Sequence, residues 1–141
     1  MTIQQIQLVK DSWALVRTIE PEIVANAFYN KLFTDHPSVR AMFPSDMKEQ
    51  YRKLMTMLNV VIVNLHRLDS LAVDIAQLAR RHKEYGAQPA HFTAVGAALL
   101  WTLESGLGAS WTEPVKEAWV TCYTIISNAM IEAMQEEPQL V

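Results

Sequence analysis

His82 is the residue of this sequence whose chemistry and surroundings are most informative. The sequence places it on one predicted helical face with aliphatic side chains, at Leu71, Ile75 and Leu78. A neutral imidazole in such a position is a ready metal ligand. The alternative is a histidine in the core or at its boundary that only hydrogen-bonds a backbone carbonyl, which is the commoner role of a lone histidine. The residues elsewhere in the chain decide between the two.

Length and composition predict one folded domain over residues 1–141. The chain is 50% hydrophobic, which is enough for a substantial core. The single Cys122 cannot form an internal disulfide, as expected of a protein from a reducing compartment. The first residues are polar and periodic, unlike a signal peptide, and we identify no apolar run that approaches membrane-spanning length. We therefore expect a cytoplasmic protein without membrane contact.

The charge of the chain argues against a nucleic-acid partner. The formal net charge is -3, and the basic cluster of Arg80, Arg81 and Lys83 is too short to follow a nucleic-acid backbone. This cluster is more typical of a solvated face, or of a contact with an anionic group of a ligand.

The pattern of apolar residues predicts an all-α protein, because no segment alternates at period two and glycine is scarce. Thr2 and Gln5 resemble a capping box that opens the first helix. A second helix is expected from Pro21 to about Thr34, followed by a short turn that ends at Met42-Phe43. A third helix is expected from about Met47 to Leu65, and a fourth carries His82 and is closed by Gly86. The last two helices are expected to begin at Pro89, with an end at Gly106 and Gly108, and at about Thr112. We expect the tail after about residue 136 to fray.

Several sequence strings, in this order and spacing, resemble bacterial single-domain haemoglobins, including the Hell's Gate type, and the globin domains of flavohaemoglobins. They are Phe28-Tyr29-Asn30-Lys31-Leu32-Phe33, His36-Pro37-Ser38-Val39-Arg40-Ala41-Met42-Phe43, Arg81-His82-Lys83-Glu84-Tyr85-Gly86, His91-Phe92-Thr93-Ala94-Val95-Gly96 and Ala118-Trp119-Val120-Thr121-Cys122-Tyr123. The resemblance covers essentially the whole chain. It implies a globin fold of six to seven helices around one haem pocket.

The resemblance further implies a b-type haem whose iron is bound by His82, with Phe43 packed on the macrocycle. A hydrogen bond from the second ring nitrogen of His82 would orient the imidazole, although the sequence does not identify its acceptor. Otherwise Phe43 is an ordinary core aromatic at a helix end.

On the distal side of the haem, Tyr29, Gln50 and Leu54 match the family's tyrosine, polar residue and apolar residue. A phenol and an amide would offer two donors to the partial negative charge of bound dioxygen, which slows its release by roughly tenfold or more. Without that role, Tyr29 would be an interhelical core residue and Gln50 a solvated residue at a helix start. Lys53, Arg81 and Lys83 are candidates for contacts with the haem propionates.

The proximal side departs from the flavohaemoglobin pattern, in which a tyrosine and a glutamate accompany the histidine. The matching positions are Phe92 and Met134, and neither can hydrogen-bond the imidazole. We therefore expect weaker electron donation from the histidine and little peroxidase-like chemistry.

The sequence ends where a flavohaemoglobin would continue into its reductase domain, so we expect electrons from a separate reductase. The favoured function is tight dioxygen binding, with carbon monoxide and nitric oxide as further ligands and dioxygenation of nitric oxide to nitrate as an enzymatic activity left open. A haem-based gas-sensing module and a haem-free globin-like interaction domain are the alternatives. The chain is expected to be a monomer or a homodimer.

Overall fold

The structure is a computed structural model, and it describes residues 1–135. Within that range the regular elements are all helical. Six α-helices follow one another as α1 (Ile3–Val16), α2 (Pro21–Asp35), α3 (Lys48–Val63), α4 (Ala72–Glu84), α5 (Pro89–Leu107) and α6 (Glu113–Gln135). Three 3₁₀ segments connect them, at Pro37–Met42, Leu65–Leu71 and Gly108–Ser110. The predicted all-α class is confirmed, and the expected fraying of the tail lies outside the described residues.

The helix boundaries follow from local chemistry. At the start of α1 the Gln5 amide nitrogen donates to Thr2 Oγ1 and the Thr2 nitrogen donates to Gln5 Oε1, each at 3.0 Å, which is the predicted capping box. Proline occupies the first position of α2 and of α5, where its missing N–H costs nothing. Gly86 ends the region of α4 with a φ of 86°, a conformation that favours glycine.

Leu65 and Leu71 lie outside the helices predicted for them, whereas the predicted end of α5 at Gly108 is confirmed. The third helix ends at Val63, and Leu65–Leu71 forms a separate 3₁₀ segment whose backbone leaves helical geometry at Arg67. Leu71 therefore caps α4 instead of lying on its apolar face with His82. Gly106 lies inside α5, and the reversal of the chain comes at Gly108, which has a φ of 53°.

The helices pack in crossed layers. Helix α2 contacts α3 and α5, α1 contacts α6, and α4 packs mainly on α6. One buried hydrogen bond ties α1 to α6, because Trp119 Nε1 donates to Ser12 Oγ at 2.8 Å. Helices α3 and α4 each pack on other neighbours and do not form an extensive interface with each other.

Helix α5 is more apolar than the sequence reading allowed. An 18-residue window within Pro89–Ser110 has a mean hydropathy of 1.2, and by length and composition alone this helix could cross a membrane. In the structure α5 instead packs against α1, α2 and α6, and residues such as Leu99 and Leu103 are buried there. This placement is typical of the central helix of a globular core.

Candidate functional site

Tyr29 and Gln50 are brought together by the crossing of α2 and α3. Gln50 Nε2 donates a hydrogen bond to the phenolic oxygen of Tyr29 at 3.1 Å. Tyr29 is only 4% exposed, whereas Gln50, in the first turn of α3, is half-buried. The sequence predicted both residues for the same pocket, and the structure adds a direct bond between them.

Aromatic rings surround the phenol of Tyr29. The nearest ring centroids belong to Phe28 at 4.8 Å, Phe43 at 5.5 Å, Tyr51 at 5.7 Å and Phe33 at 5.8 Å. Burial raises the pKa of Tyr29 to about 12, although the bond from Gln50 acts in the opposite direction. The phenol is therefore protonated at neutral pH and is able to donate.

The proton of this phenol is available to a ligand. Gln50 donates to the oxygen, and among residues 1–135 the structure shows no hydrogen bond that the Tyr29 hydroxyl donates. The sequence reading treated Tyr29 and Gln50 as two parallel donors. The structure arranges them in series, with Gln50 donating to Tyr29 and Tyr29 left to donate onward.

The other residues predicted for the distal side fall into two groups. Phe43 and Leu54 are half-buried and pack against the same apolar cluster as Tyr29. Lys53 is exposed on α3. This exposure is compatible with the predicted contact between Lys53 and a haem propionate. The structure does not bring Lys53 into contact with Tyr29 or Gln50.

His82 is held in one tautomer by its own helix. Its Nδ1 lies 2.8 Å from the carbonyl oxygen of Leu78, one turn earlier in α4. A carbonyl can only accept, so Nδ1 carries the hydrogen and the neutral ring keeps a lone pair on Nε2. The structure thus assigns the acceptor that the sequence could not identify. A histidine in this tautomer can bind a metal through Nε2.

The surroundings of His82 are apolar on one side and open on the other. The ring of Phe92 lies 6.5 Å away between centroids, and that of Tyr85, which is 60% exposed, lies 6.4 Å away. Phe92 and Met134 are buried in one small cluster with Ala79. The two positions that the resemblance matched to polar partners of the histidine thus carry buried apolar side chains.

Sequence reasoning missed Tyr123, which fixes the start of α5. Its hydroxyl donates to the carbonyl oxygen of Phe92 at 2.5 Å, and burial raises its pKa. The ring lies against Gly96, where a Cβ atom would be only 2.7 Å from Tyr123 Cε2. Gly96 therefore allows α5 and α6 to approach closely and sets the position of Phe92. The paired occurrence of a helical glycine and a tyrosine was the only signal in the sequence.

Arg81 and Lys83 are exposed in the last turn of α4. Arg81 borders an open surface cleft together with Gln77, Arg80 and Glu84. These side chains are free to reach an anionic group at the edge of the pocket, but the structure shows no contact between them and His82.

The apolar interior of residues 1–135 is divided into two clusters. Tyr29, Phe43 and Leu54 belong to one cluster, whereas Leu78 and Phe92 belong to the other. Ile62 is the buried residue of α3 and Ala79 that of α4, so the apolar stripes of both helices are otherwise only half-covered. A flat apolar group held between the two helices would bury these stripes, and the free Nε2 of His82 would be able to bind its iron. These residues fit a haem.

Comparison with known proteins identifies the fold. The model of the family described as Globin matches residues 26–130. The chain belongs to the globin family. Membership of this family implies haem binding, and the resemblance seen in the sequence is confirmed.

Relatives of this globin include both longer and single-domain proteins. It is 24% identical over 135 residues to a flavohemoprotein of Vibrio cholerae, an alignment that covers 94% of the globin and 34% of the relative. The chain thus spans about a third of the length of that flavohemoprotein.

Solved structures show the same architecture. A bacterial globin from Campylobacter jejuni is 26% identical, with a TM-score of 0.83 and coverage of 95% of this globin and 96% of that chain. An engineered carbene transferase from Rhodothermus marinus, described as a candidate nitric oxide dioxygenase, has a TM-score of 0.84 at 22% identity, covering 95% and 93% of the two chains. The second match, at this low identity, supports the fold alone.

Proposed function

We propose that this globin binds one b-type haem through Nε2 of His82 and holds dioxygen tightly on the opposite face of the haem. The observation that carries the proposal is the buried phenol of Tyr29, which burial keeps protonated and whose oxygen accepts a hydrogen bond from Gln50. The bond from His82 Nδ1 to Leu78 supports the proximal assignment, because it leaves Nε2 for the iron. We further propose a cytoplasmic location.

When bound, haem supplies an iron atom that binds dioxygen and shifts partial negative charge onto it. Tyr29 would donate its proton to that charge, and Gln50 would keep the phenol oriented. Each hydrogen bond of this kind contributes on the order of 1 kcal/mol, and more where the acceptor is charged. The aromatic rings around Tyr29 exclude water, so the donor does not have to exchange a solvent partner. Leu54 and Phe43 would supply the apolar walls.

The test compares the release of two ligands. Tyr29→Phe should speed dioxygen dissociation about tenfold or more, because the dipolar bound ligand loses its donor. Carbon monoxide release should change much less, because that ligand carries little charge. Stopped-flow measurements on the haem-loaded protein give both rates. An unchanged dioxygen rate in Tyr29→Phe would show that the phenol only packs the core and would overturn the proposal.

Dioxygenation of nitric oxide is the second activity we propose, and it is favoured by the similarity to flavohemoproteins. The reaction combines nitric oxide, dioxygen and one electron to give nitrate, and the electron must be returned by a reductase. The apolar pocket and the protonated Tyr29 would retain dioxygen until nitric oxide arrives. Nitrate formation with a supplied electron donor, lost in Tyr29→Phe at low dioxygen concentration, would support this activity. Absence of nitrate under these conditions would leave dioxygen binding alone.

A further inference from the structure

A surface cleft lies between the first turns of α2 and α3, close to the distal pair. It has a volume of about 430 Å³ and is lined by Pro21, Glu22, Lys48, Tyr51 and Arg52. Four of these residues are exposed, whereas Tyr51 is half-buried. Tyr51 is therefore the lining residue that also reaches inward from the cleft.

The ring of Tyr51 stacks on the ring of Tyr29. Their centroids are 5.7 Å apart and their planes are inclined by 24°. Because Gln50 and Tyr51 are consecutive in α3, the helix contacts Tyr29 twice, at the hydroxyl through Gln50 and at the ring through Tyr51.

A hydrogen bond to α2 holds the outer end of Tyr51. Asn26 Nδ2 donates to the Tyr51 hydroxyl at 3.0 Å, and Asn26 Oδ1 in turn accepts from Asn30 Nδ2 at 2.7 Å. Asn26 lies in α2 three residues before Tyr29, on the helix that carries the phenol. Tyr51 is thus fixed at both ends to α2, by stacking at its ring and by the amide at its hydroxyl.

We propose that Tyr51, anchored by Asn26, is a positioning residue that fixes the direction of the Tyr29 phenol and separates it from the water of the α2/α3 cleft. The inference rests on the proposed role of Tyr29 as donor to dioxygen. A hydrogen bond weakens steeply as its angle departs from linearity, so a phenol free to tilt would hold the ligand less well. Water reaching the phenol from the cleft would compete for the same proton.

Three variants test the proposal at separate points. Tyr51→Ala removes the ring, Tyr51→Phe keeps the stacking but removes the hydroxyl, and Asn26→Leu removes the amide anchor. Val60→Ala, at an exposed position of the same helix, is the matched control. Each is made in the wild-type protein and in the Tyr29→Phe background, and all are loaded with haem.

We expect dioxygen release to rise about fivefold in Tyr51→Ala and about twofold in each of Tyr51→Phe and Asn26→Leu. The last two should not add when combined, because they break the same bond. Carbon monoxide release should stay within about twofold of wild type. In the Tyr29→Phe background Tyr51→Ala should have no further effect on dioxygen release, since Tyr51 acts through the phenol.

The infrared C–O stretch of the carbon monoxide form gives a readout that does not depend on dioxygen kinetics. Tyr51→Ala should broaden the band and move it to higher wavenumber, because a tilted phenol imposes a weaker positive field on the ligand. The band should not respond to Tyr51→Ala when Tyr29 is already phenylalanine. Val60→Ala should leave it unchanged.

The outcomes separate this inference from the proposed function. If Tyr29→Phe speeds dioxygen release but Tyr51→Ala changes neither the release nor the infrared band, the positioning role is overturned and the proposed function stands. If Tyr51→Ala accelerated the entry and the release of dioxygen and carbon monoxide equally, Tyr51 would be a gate for both gases, and the positioning role would also be overturned. If Tyr29→Phe leaves dioxygen release unchanged, the proposed function fails, and an unshifted infrared band in Tyr51→Ala would overturn the positioning role as well.

Discussion

The side-chain amide of Gln50 donates to the phenolic oxygen of Tyr29 across 3.1 Å, and this direction of donation makes the two residues one functional unit. An oxygen that accepts from Gln50 turns its own hydrogen away from the amide. Gln50 therefore contributes by orienting and polarising Tyr29, and the phenol makes the contact with the ligand. Two independent donors would behave differently under mutation.

Gln50→Leu should speed dioxygen release about threefold, less than Tyr29→Phe, because the phenol remains but loses its orienting partner. The Gln50→Leu/Tyr29→Phe double variant should release dioxygen at the rate of Tyr29→Phe alone. Stopped-flow rates on the three variants complete the cycle. Additive effects would instead mean that Gln50 reaches the ligand by itself.

His82→Ala should lose the iron–histidine stretch of the ferrous protein and most of its haem affinity. Added imidazole should restore a five-coordinate ferrous spectrum, because it can occupy the space left by the side chain. His66→Ala is the matched control, since His66 is exposed and its Nδ1 lies 3.4 Å from Nζ of Lys10. Resonance Raman spectra report the stretch, and its persistence in His82→Ala would place the ligand elsewhere.

Much of this site could be predicted because its determinants are local. The spacing of Ile75, Leu78 and His82 places them on one helical face. Tyr29 was assigned by the resemblance of its motif to the family. The direction of the Gln50–Tyr29 bond was not predictable. It depends on the angle at which α2 and α3 cross, which no local pattern encodes.

The break between α3 and α4 was harder to predict from the sequence, because it too depends on tertiary context. Leu65 and Leu71 continue the apolar patterns of the flanking helices, so the sequence assigned Leu65 to the end of the third helix and Leu71 to the face that carries His82. The backbone instead leaves helical geometry at Arg67, where Asn64 Oδ1 accepts from Arg67 Nε at 2.9 Å. Such side-chain bonds compete with helical ones and depend on tertiary context. Tyr123 and Gly96 escaped notice because their contact joins two distant helices.

The buried thiol of Cys122 should make the protein sensitive to alkaline pH. Burial raises its pKa from 9.0 to about 11, so the unfolded chain ionises first as the pH rises. This contribution is complete below pH 9 and is lost between pH 9 and 11, to a total of about 2–3 kcal/mol. Urea unfolding at pH 8 and at pH 11 should show a larger loss of stability in wild type than in Cys122→Ala. Equal losses in the two proteins would assign the sensitivity to other groups.

Ser12→Ala should destabilise the fold by about 1–3 kcal/mol, because it leaves the buried indole N–H of Trp119 without an acceptor. The serine itself donates back within α1, to the Leu8 carbonyl at 2.7 Å. Ser110→Ala, at an exposed position, should change stability little. Chemical unfolding measures both. If Ser12→Ala matched that control, water or a shifted side chain would have replaced the lost acceptor.

Because its apolar interior is divided into two clusters, the abundance of this protein in a cell should depend on the supply of haem. Without haem, the stripes of α3 and α4 have no common partner, and α4 has only Ala79 fully buried. Local opening of α4 would then cost less free energy than it does with haem bound, and opened segments are where proteases cut. Haem that binds the folded chain would stabilise it by mass action. A cell short of iron would thus degrade this protein faster, with no change in the rate of its synthesis.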